Sequence, residues 1–259
     1  MRDDSNTPLA ESERAVSEIL GFILVFSIVL STIVLVYVGG LGGLENARDA
    51  EQMNNAERAF DVLGNNVEKM ARGEARHRAT EIKLSDSQLV LGDLRQAHVN
   101  DSNGNTVAEI RQHRPIKYHV TSTSKVVYEH GAVIRVDDGS ATMQSEPDFI
   151  IGENRMIIRH IEVSNLETGS QSVSGDTTVL VRASVTRSDM LYSGEDMDEV
   201  TVYLNTSSTR ANVWVTYMES KDASCDVSNP TDSEVAVECT FEDIETLFVS
   251  RDRVKVDLT

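Results

Sequence analysis

Aromatic residues make up only 5% of this 259-residue chain, cysteine occurs twice, and lysine occurs six times against 18 arginines. Two cysteines exclude a disulfide-stapled miniprotein. A composition 40% apolar and 25% charged excludes wholesale disorder and a collagen repeat. No run of Lys and Arg interrupts the excess of 42 Asp plus Glu over 24 Lys plus Arg, a formal net charge of -18. A surface of that sign repels phosphate backbones, so no nucleic-acid partner is expected. The carboxylate excess suits concentrated salt, where the Debye length falls to roughly 3 Å and self-repulsion is screened. An ordinary acidic domain has the same composition.

The motifs of several enzyme classes are also missing. There is no G-x-S-x-G elbow, G-x-x-x-x-G-K-[ST] phosphate loop, H-E-x-x-H, C-x-x-C or strand-linked G-x-G-x-x-G. No catalytic residue, cofactor or metal is expected, and the chain is read as a non-enzyme, although a site of dispersed Ser, His and Asp is spatial and leaves no such signature. The six histidines, at positions 77, 98, 113, 119, 130 and 160, form no His-x-x-x-His pair, but folding can gather distant residues. The cluster Glu195-Asp196-Met197-Asp198-Glu199 offers oxygens to calcium but lacks the spacing and glycine of an EF-hand, so a solvated loop is expected there. Asp137-Asp138-Gly139 reads as a hairpin turn.

What is present begins with one long apolar run. No charged residue occurs from Ile19 to Leu44, and the 20 residues Ile19 to Val38 are interrupted only by Gly21, Ser27, Ser31, Thr32 and Tyr37. As a helix that run spans about 30 Å, the hydrocarbon thickness of a bilayer. A signal peptide has a shorter apolar region, a basic start and a small-residue cleavage site; the glycines at 39, 40, 42 and 43 leave cleavage after the run as the alternative.

The residues Arg14-Ala15-Val16-Ser17-Glu18-Ile19-Leu20-Gly21-Phe22-Ile23-Leu24 resemble the amino terminus of archaeal, especially haloarchaeal, type IV pilin-like proteins. The resemblance implies cleavage by a prepilin peptidase on the cytoplasmic side, with Arg14 and Ala15 ending the leader and Val16 becoming the new terminus. The retained helix would then serve as a membrane anchor before assembly and as the packed core of a filament afterwards. Glu18 departs from the family pattern: it would be third in the mature chain, where such pilins usually carry Pro and bacterial pilins carry Glu at the fifth position. The resemblance makes it a carboxylate that pairs with a neighbouring subunit's terminal amine; its other reading is a marker of the cytoplasmic boundary. Weaker similarity to haloarchaeal pilin-like envelope proteins continues through Glu129-His130-Gly131-Ala132-Val133-Ile134-Arg135.

Beyond the glycines, Leu44 to Arg72 predicts one helix with Met53, Ala56, Phe60, Leu63, Val67 and Met70 on a single stripe, stopped at Gly73. From Ala79 the period changes to two. Segments around 81–84, 88–91, 97–99, 106–110, 116–120, 126–128 and 133–136 predict half-buried strands, with turns at Asn103-Gly104 and His130-Gly131. Further strands are predicted at 149–151, 156–163, 178–185, 200–204, 234–239 and 254–258; 208–219 is read as a short helix anchored by Trp214, with a strand at Asn212-Val213-Trp214-Val215 as the alternative. No segment is long enough for a βαβ crossover.

Cys225 and Cys239 flank a turn at Asn229-Pro230, and a disulfide suits an exported domain; two buried thiols or half of a metal site are the alternatives. Asn100-Asp101-Ser102 and Asn205-Thr206-Ser207 are N-glycosylation acceptors. The expected class is therefore α+β: a polar leader (1–15), a transmembrane, pilin-like helix (16–40), a glycine hinge and amphipathic helix (41–73), and an extracellular, mainly antiparallel β domain, sandwich-like or wrapped (74–259). The expected function is a membrane-anchored pilin-like subunit or minor component of a surface filament or envelope, with membrane, prepilin peptidase and other pilin-like subunits as partners and its carboxy-terminal domain outside the cell. The alternative is a tethered extracellular binding module that never polymerises.

Overall fold

The computed structural model describes the backbone of residues 9–259 other than 153, 168, 232 and 233, and the side chains of residues 17–259 other than these and 196, 230 and 231. The fold is α+β, a long amino-terminal helix followed by a mainly antiparallel β domain with a curled sheet. By compactness the chain divides into two units, Met1–Ala50 and Glu51–Thr259.

Helix α1 (Leu9–Ala71) is a single 63-residue element. The sequence predicts a hinge at the glycine patch, but Gly39, Gly40, Gly42 and Gly43 all lie in helical backbone. Glycine weakens a helix by roughly 0.5–1 kcal/mol per residue relative to Ala without abolishing its hydrogen bonds, and the apolar residues before the patch and the helix-forming residues after it sustain the ladder. The end falls where predicted. Gly73, at φ 81, closes a Schellman motif in which the Gly73 N–H donates to the Met70 carbonyl and the Glu74 N–H to the Lys69 carbonyl.

Strands β1 (His77–Lys83), β2 (Ser87–Leu91), β3 (Arg95–Asp101), β4 (Thr106–His113), β5 (Ile116–His119), β6 (Lys125–Glu129), β7 (Ala132–Asp137) and β8 (Ser140–Ser145) follow. Next come β9 (Phe149–Ile151), β10 (Arg155–Asn165), β11 (Ser172–Gly175), β12 (Thr178–Thr206), helix α2 (Ser208–Glu219), β13 (Ser224–Thr231) and β14 (Glu234–Leu258). One sheet runs β4-β3-β12-β14-β10-β9, with β1 also on β12 and β13 also on β14; the other runs β11-β2-β5-β6-β7-β8.

Two expectations are corrected. The strands predicted separately at 178–185 and 200–204, and at 234–239 and 254–258, are continuous in β12 and β14, which pair along most of their length. The acidic stretch at 195–199 is therefore strand, not loop. Glu195 pairs with Thr246 and Glu199 with Glu242, while Met197 turns into the core and Glu195, Asp198 and Glu199 stay exposed. Within this mainly antiparallel domain one pair is parallel: β10 runs alongside β14, residues 155–165 against 246–256. The return path is made of strands and α2, so no crossover helix is required.

Two cores fill the second unit. In the first, Trp214 and Met218 of α2 meet Ile134 and Val136 of β7 and Val200, Val202, Leu204, Val237, Phe241 and Leu247 of the long ribbon. In the second, the predicted stripe of α1, Met53 to Met70, is buried in full against β1, β2, β5 and β6 and the far end of the ribbon. Each Val, Leu, Ile, Phe or Met side chain among them stabilises the fold by about 1.5–3 kcal/mol on burial.

Candidate functional site: an exposed apolar helix and a sealed polar centre

Two features lie beyond ordinary packing. The first is the amino-terminal half of α1, whose residues from Ile19 to Leu44 are all exposed, including Phe22 at 70% and Leu35 at 72%. It is long enough and apolar enough to cross a membrane. Ser27 and Thr32 return their hydroxyls to the carbonyls of Ile23 and Ile28, so these two side chains keep their hydroxyl protons from hydrocarbon. Glu18 is exposed at the polar end of the run. The side chains of Arg14, Ala15 and Val16 lie outside the described residues.

The second feature is a polar centre beneath the β6–β7 hairpin. His130 and Gly131 take positive φ, 51 and 92, the mirror-image turn that a two-residue hairpin favours. This turn is buried, unlike most, and its polar groups are met by side chains from distant strands. The His130 N–H donates to His113 Nε2 at 3.1 Å, and His130 Nδ1 lies 3.0 Å from His160 Nε2. The His113 and His130 rings stack with centroids 4.4 Å apart.

Beside them, the carboxylate of Glu129 receives four donors. Thr206 Oγ1 donates at 2.5 Å, Arg210 Nη2 at 2.6 Å, Trp214 Nε1 at 3.2 Å and Arg210 Nε at 3.3 Å. Burial alone would push this carboxyl up; the Arg210 guanidinium overcomes it and, with the other donors, holds the pKa down to about 2. Burial drives His113 and His160 well below the usual imidazole range, and each is lowered further by a neighbouring imidazole. Burial also lowers His130, against the opposing pull of Glu129. The centre therefore holds one ion pair and three neutral imidazoles, with Glu129, His113, His130 and Thr206 all at 0% exposure. A sealed centre of this kind positions elements and meets no solute. Among the described residues, no group of three or more His, Cys, Asp or Glu is arranged to hold a metal ion.

The other expected residues sort as follows. Cys225 and Cys239 form a disulfide between directly paired residues of β13 and β14, with Cα atoms 4.1 Å apart. Asn100 is half-buried in β3, where its carbonyl accepts from Thr106 Oγ1. Asn205 is only 7% exposed, so this acceptor amide is not presented to a glycan-transferring enzyme by the folded chain. The residues that sequence reasoning missed are Arg210, His113 and His160. Glu129 and His130 do carry a signal, a carboxylate and an imidazole inside the otherwise apolar stretch Val126 to Ile134.

The family described as a family of unknown function (DUF7289) matches residues 14–257, and the chain belongs to it. No curated protein and no solved structure matches the chain.

Proposed function

We propose that this chain is a pilin-like, membrane-anchored surface protein, a structural subunit or minor component of an archaeal type IV pilus-like filament or of the envelope. The observation that carries the reading is the exposed apolar run from Ile19 to Leu44, two residues after the Arg14-Ala15-Val16 sequence at which a prepilin peptidase would cut. Such a helix is costly in water and must be covered, by lipid before assembly and by the helices of other copies after it. The disulfide between β13 and β14 supports a location of the second unit in an oxidising compartment, outside the cell.

The test is the mature amino terminus, read by mass spectrometry from membrane and sheared-surface fractions of the native cell. A start at Val16, with protein in the sheared fraction, is expected. An intact leader confined to membranes would overturn the filament reading in favour of a tethered binding module, and a start beyond Gly40 would mean that the helix is discarded.

A further inference from the structure

Charge on the β12–β14 ribbon is segregated by position. At its 195–199 and 242–245 stretch, Glu195, Asp198, Glu199, Glu242, Asp243 and Glu245 are exposed, and none of them has a cationic partner among the described residues. At its other end, Arg251, Arg253 and Lys255 alternate along β14 and line a groove of about 530 Å³ together with Arg111 of β4 and Thr186 of β12. Arg187 lies beside them. These five cations have three carboxylates among them. Glu109 pairs with Arg111; Glu162 lies 3.6 Å from Arg251 and 3.7 Å from Arg253; Asp189 receives Arg187 and Arg251. Arg251 Nη2 donates to Asp189 at 3.1 Å and Arg253 lies 3.9 Å from the same carboxylate, while Nε of each arginine is buried without a hydrogen-bond acceptor. Lys255 has no ionic partner among the described residues. A groove with more cations than carboxylates thus persists in a chain of net charge -18.

The two patches lie at different positions along the ribbon. Leu247 and Val249 enter the first core, whereas Val254, Val256 and Leu258 enter the second. Successive side chains on a strand alternate between faces, so the change from odd to even numbering means that β14 buries opposite faces toward its two ends. Arg251, Arg253 and Lys255 therefore turn away from the second core, whereas Glu242, Asp243 and Glu245 are exposed beside Phe241 and Ile244 of the first. We propose that the basic groove of one copy docks on the acidic stretch of the ribbon of a second copy of this chain. The patches occupy different positions along the ribbon, so the contact joins unlike surfaces, and a heterologous arrangement of it repeats from copy to copy. This inference rests on the reading of the chain as an assembling subunit and names the contact through which its outer units engage.

The test uses the full chain in detergent micelles, with association followed by sedimentation. Wild type should associate at about 0.1 M salt and dissociate toward 1 M, where the Debye length shrinks from about 10 Å to about 3 Å. R251E/R253E and E195K/E242K should each self-associate roughly tenfold or more weakly through like-charge juxtaposition. An equimolar mixture of the two should recover association. In mixed isotope-labelled and unlabelled wild type, a carbodiimide should join Lys255 of one copy to a carboxylate at 195–199 or 242–245 of another.

Variants that associate like wild type, or a mixture that fails to recover although each variant melts like wild type, overturn the contact. If R251E/R253E does not fold, E195K/E242K still decides, since its two carboxylates are exposed and lack cationic partners. A wild type that stays monomeric at every salt concentration also overturns the contact. The filament reading falls separately, on an intact leader and absence from sheared fractions.

Discussion

Glu129 is held by donors from three places, Thr206 at the end of β12 and Arg210 and Trp214 on α2, so a single carboxylate ties the β6–β7 hairpin to the helix that closes the first core. Removing one partner of a buried pair leaves the other charge stranded. Arg210→Met is therefore expected to cost about 3–5 kcal/mol, seen as a lower urea midpoint, and an unchanged midpoint would show that the pair holds nothing together. The imidazoles make a separate prediction. Their folded pKa values lie below the ordinary 6.5, so the unfolded chain takes up protons first as pH falls, and stability declines below about pH 6.5. Arg95 and Arg210 face this cluster and Arg251 lies beside His160, so cations oppose its protonation. Glu129 adds a second decline from about pH 4.5 toward 2 as its carboxylate is protonated. Urea midpoints between pH 8 and 5 should fall, and His160→Gln should flatten that slope; equal slopes would place the titration elsewhere. None of this was legible from the positions 113, 130 and 160 themselves, because strands far apart in sequence bring the three rings together.

At the scale of elements, periodicity carried most of the information. The six-residue stripe of α1 and the helix at Ser208–Glu219 stand where the spacing of three and four puts them, because one buried face must repeat at the helical period. The ribbon was less legible: register shifts between Val185 and Arg187 and between Met190 and Tyr192 change the inward parity of β12, so its alternation reads as two short strands with a gap. Three exposed or irregular strands, β8, β11 and β13, gave no apolar alternation to read. The glycine patch misled because glycine signals conformational freedom without requiring that it be used. A Cβ added at Gly39, Gly40, Gly42 or Gly43 meets nothing within 4 Å. Ala at each should thus strengthen the helix by roughly 0.5–1 kcal/mol, measured as slower amide exchange across 39–43, whereas faster exchange would mean that the glycines serve a non-helical state. The disulfide between β13 and β14 closes a loop with a sequence separation of 14, so reducing it should lower stability by about 3 kcal/mol. A C225S/C239S variant with an unchanged melting temperature would deny it that role.

Across the whole molecule, one helix carries two kinds of apolar surface. Residues from Met53 to Met70 are buried in the second core, whereas none of the residues from Ile19 to Leu44 belongs to either core. Changes in the two stretches should therefore separate. Phe60, at 0% exposure, packs edge-on against Tyr118 with ring centroids 6.5 Å apart. Phe60→Ala should cost about 3–5 kcal/mol of folding stability through the cavity it leaves. Leu30 lies near the middle of the exposed run and touches neither core. Leu30→Arg places a charge where insertion costs about 2.5–3.5 kcal/mol, so it should shift the protein from the carbonate-resistant membrane fraction to the soluble one while the melting temperature of the β unit stays unchanged. Folding and anchoring would then be independent properties of the two stretches. A membrane fraction undiminished by Leu30→Arg, or a β unit destabilised by it, would mean that the exposed run is covered by protein and not by lipid.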